Sequence, residues 1–247
     1  FILLSDVLGL SMLTVAMNND KPAGCTEATV FGPFHVEGAP HYELGDDIAN
    51  GAKGTPCTVR GTVKGIDGQP IPGAVMDVWQ SDDDGLYDVQ HADLGHAQAR
   101  GIVTADAEGK YHFRSIVAVP YAIPHDGPVG AMLEATGRHP WRPAHLHFLV
   151  KAPGYETLIT HVFRDHSDYL DSDAVFGVRQ SLVCDWVQVP VTGPSVTVTP
   201  GVPQAAVAVA LPRAALISEA DGLQPSVSVV PVTIRTGGFG ALVHVTV

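Results

Sequence analysis

From Cys57 onward the chain alternates apolar and polar residues in short runs, each closed by glycine, proline or aspartate. Cys57-Thr-Val-Arg-Gly-Thr-Val reads as a strand, Asp67-Gly68 as a turn and Ala74-Val-Met-Asp-Val-Trp-Gln as a second strand. Asp82-Asp83-Asp84-Gly85 is a further turn, and it reads as solvated. Gly101-Ile-Val-Thr and Lys110-Tyr-His-Phe flank a turn at Ala107-Glu108-Gly109. Residues 115–119, 145–150 and 157–163 add strands of the same kind. Short strands at this spacing bury one face each and need a second sheet to cover it, so the fold class is mainly β, an antiparallel β-sandwich. The 26 glycines and 19 prolines suit the turns, and an apolar share of 45% over 247 residues supplies a core.

The flanks differ. Residues 1–19 predict one helix, with Leu3, Leu4, Val7, Leu8, Leu10 and Leu13 on a wide apolar face and Asn18-Asn19-Asp20 as its stop. Residues 21–55 read as an irregular segment holding Phe31-Gly32-Pro33-Phe34. Beyond about residue 190 the composition shifts to Val, Ala, Pro and Gly, with alternating runs at Ser195-Val-Thr-Val-Thr and Leu242-Val-His-Val-Thr-Val that suit strands. The expected division is 1–20 as a helical remnant, 21–190 as the β domain and 191–247 as an unassigned tail.

Charge and cysteine usage exclude several classes. There are 14 Lys and Arg against 26 Asp and Glu, a net charge of −12, which repels phosphate, so nucleic acid and anionic membrane are not expected partners. Cys25, Cys57 and Cys184 are an odd set without paired spacing, which points away from a disulfide framework and toward the cytoplasm. Asp6, Ser11, Asn18 and Asn19 interrupt the apolar N-terminal run, so neither membrane insertion nor a signal peptide is expected.

Trp141-Arg142-Pro143-Ala144-His145-Leu146-His147-Phe148 carries the sharpest chemistry. On a strand, residues two apart share a face, so His145 and His147 point one way and Leu146 and Phe148 the other. A single strand histidine is more often a hydrogen-bonded structural group than a ligand; a pair on one face is balanced between the two readings. Tyr87 and Tyr121 each read as packed phenols when taken alone, and Arg142 as a surface ion-pair residue. If the four meet, two phenolate oxygens and two imidazoles favour ferric iron over zinc.

Taken together these residues resemble the intradiol ring-cleaving dioxygenases, non-haem ferric enzymes that open a catechol ring between its two hydroxyls. The carrying motifs are Gly73-Ala-Val-Met-Asp-Val-Trp-Gln80, Gly85-Leu86-Tyr87, Tyr121 with Ile123-Pro124 and Asp126-Gly127-Pro128, and Arg142 to Phe148. The resemblance runs from residue 1 to about 186. Thr26 to His35, Gly137 to Trp141, Tyr169 to Gly177 and His161 are similar to the hydroxyquinol-cleaving branch in particular.

The resemblance implies that Tyr87, Tyr121, His145 and His147 bind Fe(III). It implies that a small aromatic diol or triol displaces Tyr121, which takes a substrate proton, before O2 reacts. Arg142 would stabilise negative charge on the ring. Leu3, Asp6, Val30, Phe31, Gly32, Pro33, Phe34, Ile123, Pro124, Arg142 and Val175 would line the substrate pocket, with Asp6 accepting a hydrogen bond from a third hydroxyl. It also implies a homodimer built by a helical N-terminal domain. Only the last helix of that domain is similar to residues 1–19, and the tail from about 190 does not resemble the family's closing strands. The expected activity is cleavage of hydroxyquinol (benzene-1,2,4-triol) to 3-hydroxy-cis,cis-muconate. Alternatives are cleavage of catechol or chlorocatechol, a non-catalytic β-sandwich binding module, suggested by Asp67-Gly-Gln-Pro-Ile-Pro-Gly-Ala74, and a zinc hydrolase.

Overall fold

The structure, a computed structural model, describes residues 1–190, 228–236 and 241–246. The runs with a two-residue period form strands close to where the alternation places them. They are β2 (Pro56–Lys64), β3 (Val75–Trp79), β4 (Arg100–Thr104), β5 (Lys110–Ile116), β8 (His145–Lys151) and β9 (Leu158–Arg164). In contrast, β1 (His41–Tyr42), β6 (Tyr121–Ala122), β7 (Trp141–Arg142) and β10 (Val183–Pro190) lie outside the expected strands. The separate strand expected at 115–119 is absent, because β5 runs unbroken to Ile116 and the chain then leaves the sheet. Two more, β11 (Ser228–Thr236) and β12 (Ala241–Thr246), come from the C-terminal region. The expected run at 195–199 lies outside the described residues, whereas that at 242–246 falls within β12.

A seven-stranded sheet has the order β1-β4-β3-β8-β9-β10-β12, and a three-stranded sheet the order β11-β2-β5. Their inner faces share one core. Val59, Val63 and Phe113 come from the smaller sheet; Met76, Val78, Leu146, Phe148, Val150 and Val162 come from the larger. This is the sandwich that the alternation predicts. A two-stranded pairing of β6 with β7 stands apart and sets Tyr121 opposite Arg142.

The predicted single helix is two, α1 (Ile2–Val7) and α2 (Leu10–Asn18), broken at Gly9 with φ 74°. Glycine enters this left-handed conformation without the clash a Cβ would bring, so the chain turns there at low cost. The turn changes which residues are covered. Asp6, Val7 and Met12 are buried, while Leu8, Leu10 and Leu13 stay exposed. A third helix, α3 (Pro128–Ala135), follows the proline-rich loop; a proline in its first turn needs no amide donor, and eight residues are too few to show a clear period. Among the described residues no helix is long and apolar enough to cross a membrane.

Candidate metal centre

Strand β8 sits in the middle of the large sheet, and its parity sorts its side chains. Leu146 and Phe148 enter the sandwich core, while His145 and His147 turn to a second apolar cluster on the outer face. That cluster contains Val7, Val30, Trp79, Tyr87, Tyr121, Ile123 and Val175, with Leu3 and Phe34 packed against it. Across the sheet His147 pairs with Trp79 on β3 and with His161 on β9. The Trp79 ring stacks on His147, centroids 4.6 Å apart and 14° from parallel.

The two tyrosines arrive from different loops. Tyr87 follows the Asp82 turn, whose Oδ1 accepts the amides of Asp84 and Leu86 and whose Oδ2 pairs with His91 Nε2 at 2.8 Å. Asp82 is therefore a buried anchor, not the solvated residue its acidic run predicts; Asp83 and Asp84 are exposed. Gly85, at φ 77°, lets this loop approach the next. A Cβ there would lie 3.1 Å from Tyr121 Cβ. Phe34 stacks on the Tyr87 ring, centroids 4.4 Å apart. Arg100, fully buried, ties the two segments together through Asp88 and the Phe34 carbonyl, with Nε 2.7 Å from Asp88 Oδ2 and Nη2 2.9 Å from the carbonyl.

The four candidate donors converge. Tyr87 Oη lies 2.9 Å from His147 Nε2, and the Nε2 atoms of His145 and His147 are 3.2 Å apart. Arg142 Nη1 lies 3.3 Å from both Tyr121 Oη and His145 Nε2. The arginine is buried rather than a surface ion-pair residue. Pro143 carbonyl can only accept, so His145 Nδ1, 2.7 Å away, carries its proton and leaves Nε2 bare. His147 Nδ1 meets His161 Nε2 at 2.9 Å, and His161 Nδ1 meets Thr29 Oγ1 at 2.7 Å. When both histidines present bare Nε2 atoms, two lone pairs face each other at 3.2 Å, an arrangement that a cation relieves.

Burial sets the protonation of this cluster. Desolvation first, and then the Arg142 charge, push His145 well below the usual imidazole range. Desolvation also lowers His147 and His161, each further depressed by its neighbouring imidazoles and by Arg142. The imidazoles are thus neutral donors at neutral pH. Desolvation and the neighbouring Tyr121 raise Tyr87 well above the ordinary phenol value, so it ionises only when a cation compensates. Two phenol oxygens with two neutral nitrogens fit a hard trivalent cation such as ferric iron. Nitrogens of His145, His147 and His161 also lie within 4.8 Å of one another. His161, however, stands behind His147 and bonds its Nδ1, so it orients a donor rather than completing the set.

The expected lining residues fall into two groups. Leu3, Val30, Phe34, Ile123 and Val175 belong to the outer-face cluster, and Asp6 is buried within reach of the Arg142 and Asp173 charges. Gly32 sits over His147, where a Cβ would be 3.2 Å from Cε1, and exposed Phe31 meets Trp79 edge-on at 5.7 Å. Pro33 and Pro124 are exposed at the periphery. A separate cavity of about 650 Å³ opens behind His161, between α2 and residues 21–28. None of the four candidate donors lines it. Trp79, Thr29 and Asp173 lie in motifs that carry the resemblance but were given no role in the site, and Arg100 was not singled out at all. Strand parity would have offered Trp79, and the others sit on segments that no periodicity aligns.

Residues 30–197 match the model of a dioxygenase family. The chain is 70% identical over 188 residues to 6-chlorohydroxyquinol 1,2-dioxygenase of Cupriavidus pinatubonensis, covering 76% of this chain and 68% of that protein. It is 55% identical over 201 residues to hydroxyquinol 1,2-dioxygenase of Nocardioides simplex, covering 81% and 67%. The chain thus spans about two thirds of the length of these relatives. Among solved structures, hydroxyquinol 1,2-dioxygenase from Pseudomonas putida DLL-E4 superposes with a TM-score of 0.75 at 42% identity, over 93% of this chain and 72% of that one. Catechol 1,2-dioxygenase of Acinetobacter radioresistens gives 0.71 at 31% identity, over 76% and 64%. On this likeness of sequence and fold, the chain belongs to the intradiol ring-cleavage dioxygenase family.

Proposed function

We propose that this chain is a non-haem Fe(III) intradiol dioxygenase that opens hydroxyquinol with O2 to 3-hydroxy-cis,cis-muconate, the maleylacetate tautomer. The observation that carries the reading is the convergence of two phenol oxygens and two imidazole nitrogens beside a buried arginine. Tyr87, Tyr121, His145 and His147 would hold the iron, and residues 21–190 would form the catalytic unit. Ferric iron, when bound, supplies the Lewis acidity that activates a chelated diol toward O2.

The chain's own residues do the rest. Tyr121 has its oxygen 3.3 Å from Arg142 Nη1, so it can take a substrate proton and remain held by a charged donor. The guanidinium, in a dry site, stabilises negative charge that develops on the ring. Leu3, Val30, Phe34, Ile123 and Val175 exclude water, while Phe31, Gly32, Pro33 and Pro124 form the entrance side.

Asp6 supplies the polar contact for a third hydroxyl. Burial raises its pKa although Ser11 hydrogen-bonds its side chain, and its remaining acceptor capacity can take a substrate hydroxyl. A site built to hydrogen-bond a hydroxyl rejects analogues without one better than an apolar wall does. The likeness to relatives named for hydroxyquinol and 6-chlorohydroxyquinol supports a triol over catechol as the substrate. Three free cysteines suit the cytoplasm. The homodimer implied by the family resemblance is tested by sedimentation velocity.

The deciding experiment loads the purified chain with ferric iron, records the visible spectrum and follows O2 uptake with hydroxyquinol, 6-chlorohydroxyquinol and catechol. A burgundy tyrosinate band and preference for the triols are expected. A colourless iron-loaded protein sinks the metal assignment, and equal rates on catechol sink the substrate assignment. Replacing Asp6 with Ala narrows the hydroxyquinol-to-catechol ratio of kcat/KM, by about tenfold if one buried hydrogen bond is lost.

A further inference from the structure

Arg142 is aimed by one carboxylate. Asp173, in the segment between β9 and β10, has a side chain only 2% exposed. Its Oδ1 accepts from Arg142 Nε at 3.0 Å and its Oδ2 from Arg142 Nη2 at 3.2 Å. The same two oxygens accept the amides of Val175 at 3.2 Å and Gly177 at 2.9 Å. A two-point pair through Nε and Nη2 fixes the plane of a guanidinium. It leaves Nη1 on the opposite edge, and Nη1 is the atom 3.3 Å from Tyr121 Oη and His145 Nε2. The turn is fitted closely to this pair. A Cβ on Gly177 would lie 2.9 Å from Arg142 Nη2 and 3.1 Å from Asp173 Oδ2.

We infer that Asp173 is a positioning residue for ring cleavage: it aims Arg142 Nη1 at the Tyr121 oxygen. The inference rests on the dioxygenase reading above. Its logic is geometric. An arginine without a fixed plane can donate to Tyr121 in several orientations, and only one also keeps the guanidinium over the substrate side. The Asp173 carboxylate bonds Arg142 and the Val175 and Gly177 amides, not a candidate metal donor, so its effect on the chemistry passes through Arg142. Removing it should lower kcat far more than it raises KM, because the charge on the arginine survives while its aim does not.

The test uses the iron-loaded protein. Asp173→Asn keeps the shape but replaces one acceptor with an amide that cannot receive Arg142. The expected result is a kcat lower by about 10- to 100-fold, the range for lost outer-shell partners, with KM nearly unchanged. The visible tyrosinate band should shift, since the Tyr121 oxygen loses its charged donor. In an Arg142→Met background, Asp173→Asn should add almost nothing. Equal losses in both backgrounds, or an unmoved band with unchanged kcat, overturn the inference.

Should Asp173→Asn fail to fold, Gly177→Ala presses a methyl against Arg142 Nη2 without altering charge, and the same band shift and kcat loss are expected in smaller measure. A crystal structure of metal-free Asp173→Asn, or of Gly177→Ala, separates this inference from the reading beneath it. If the parent chain never forms a coloured iron centre, the dioxygenase reading falls. Arg142 Nη1 remaining in hydrogen-bonding distance of Tyr121 Oη in the variant overturns the positioning role whether or not iron binds.

Discussion

At the scale of single residues, Thr29, His161 and His147 are linked in series, each orienting the next. His147 can offer a bare Nε2 only if its Nδ1 proton has an acceptor, and His161 Nε2 at 2.9 Å is that acceptor. His161 in turn needs Thr29 Oγ1 at 2.7 Å. Replacing His161 with Leu strands a buried N–H, which costs about 1–3 kcal/mol of stability and weakens iron binding about 10- to 100-fold. Replacing it with Gln restores an acceptor and should recover most of the affinity. Competition with a coloured chelator measures both, and a Leu variant that binds iron as the parent does would refute the role. Tyr87→Phe removes one phenol oxygen outright. It should abolish most of the visible absorption while leaving the fold intact, since Phe34 still stacks on the ring; circular dichroism and the visible spectrum check the two halves.

At the scale of elements, β8 shows why one strand serves both core and site. Leu146 and His147 are neighbours in the chain and lie on opposite faces of the sheet. Leu146→Ala should cost about 2–5 kcal/mol by opening a core cavity, with the spectrum of the folded fraction unchanged. His145→Ala should remove the iron signal, and it also lowers the urea midpoint, because it strips the Pro143 carbonyl of its donor and leaves a cavity. A Leu146→Ala variant with an altered spectrum would break the separation.

That parity was readable in the sequence because a two-residue period leaves a mark along a strand. The sandwich, and the common face of His145 and His147, followed from it. The approach of Tyr87 and Tyr121 left no such mark. It depends on Gly85 permitting close contact, on Asp82 anchoring one loop and on Arg100 clamping Asp88 to Phe34. These are long-range contacts between irregular segments, and only the resemblance to a family supplied them. The break at Gly9 was hidden for another reason. An apolar run looks alike whether or not one glycine turns it, so exposed Leu8, Leu10 and Leu13 were indistinguishable from buried ones. The role of Asp173 was invisible because a carboxylate on a loop carries no sign of the arginine it will meet.

For the whole molecule, the buried cluster sets the pH range over which the metal-free chain holds together. Burial depresses His145, His147 and His161 below the ordinary imidazole value of 6.5. The unfolded chain binds protons on these groups as pH falls below about 6.5, while the fold keeps them neutral. Stability is therefore full above that value and declines below it, down to the depressed folded values. Each such group can contribute a slope of about 1.4 kcal/mol per pH unit, so three give a ceiling near 4. Asp6, raised by burial, acts in the opposite sense and offsets part of the loss near its own range. The Cys57 and Cys184 thiols, pushed far up by burial, close the window on the alkaline side from about pH 8.5, where they ionise in the unfolded chain alone, and Tyr87, also raised, adds to the loss above about 10. Urea midpoints of chelator-treated protein should thus be level between about pH 7 and 8 and fall steeply by about pH 5. Ferric iron, binding the deprotonated donors of the native state alone, should raise the midpoint at every pH by mass action. A metal-free midpoint that stays level from pH 7 to 5 would mean that the three imidazoles are not buried as neutral donors, and the pre-formed centre would go with them.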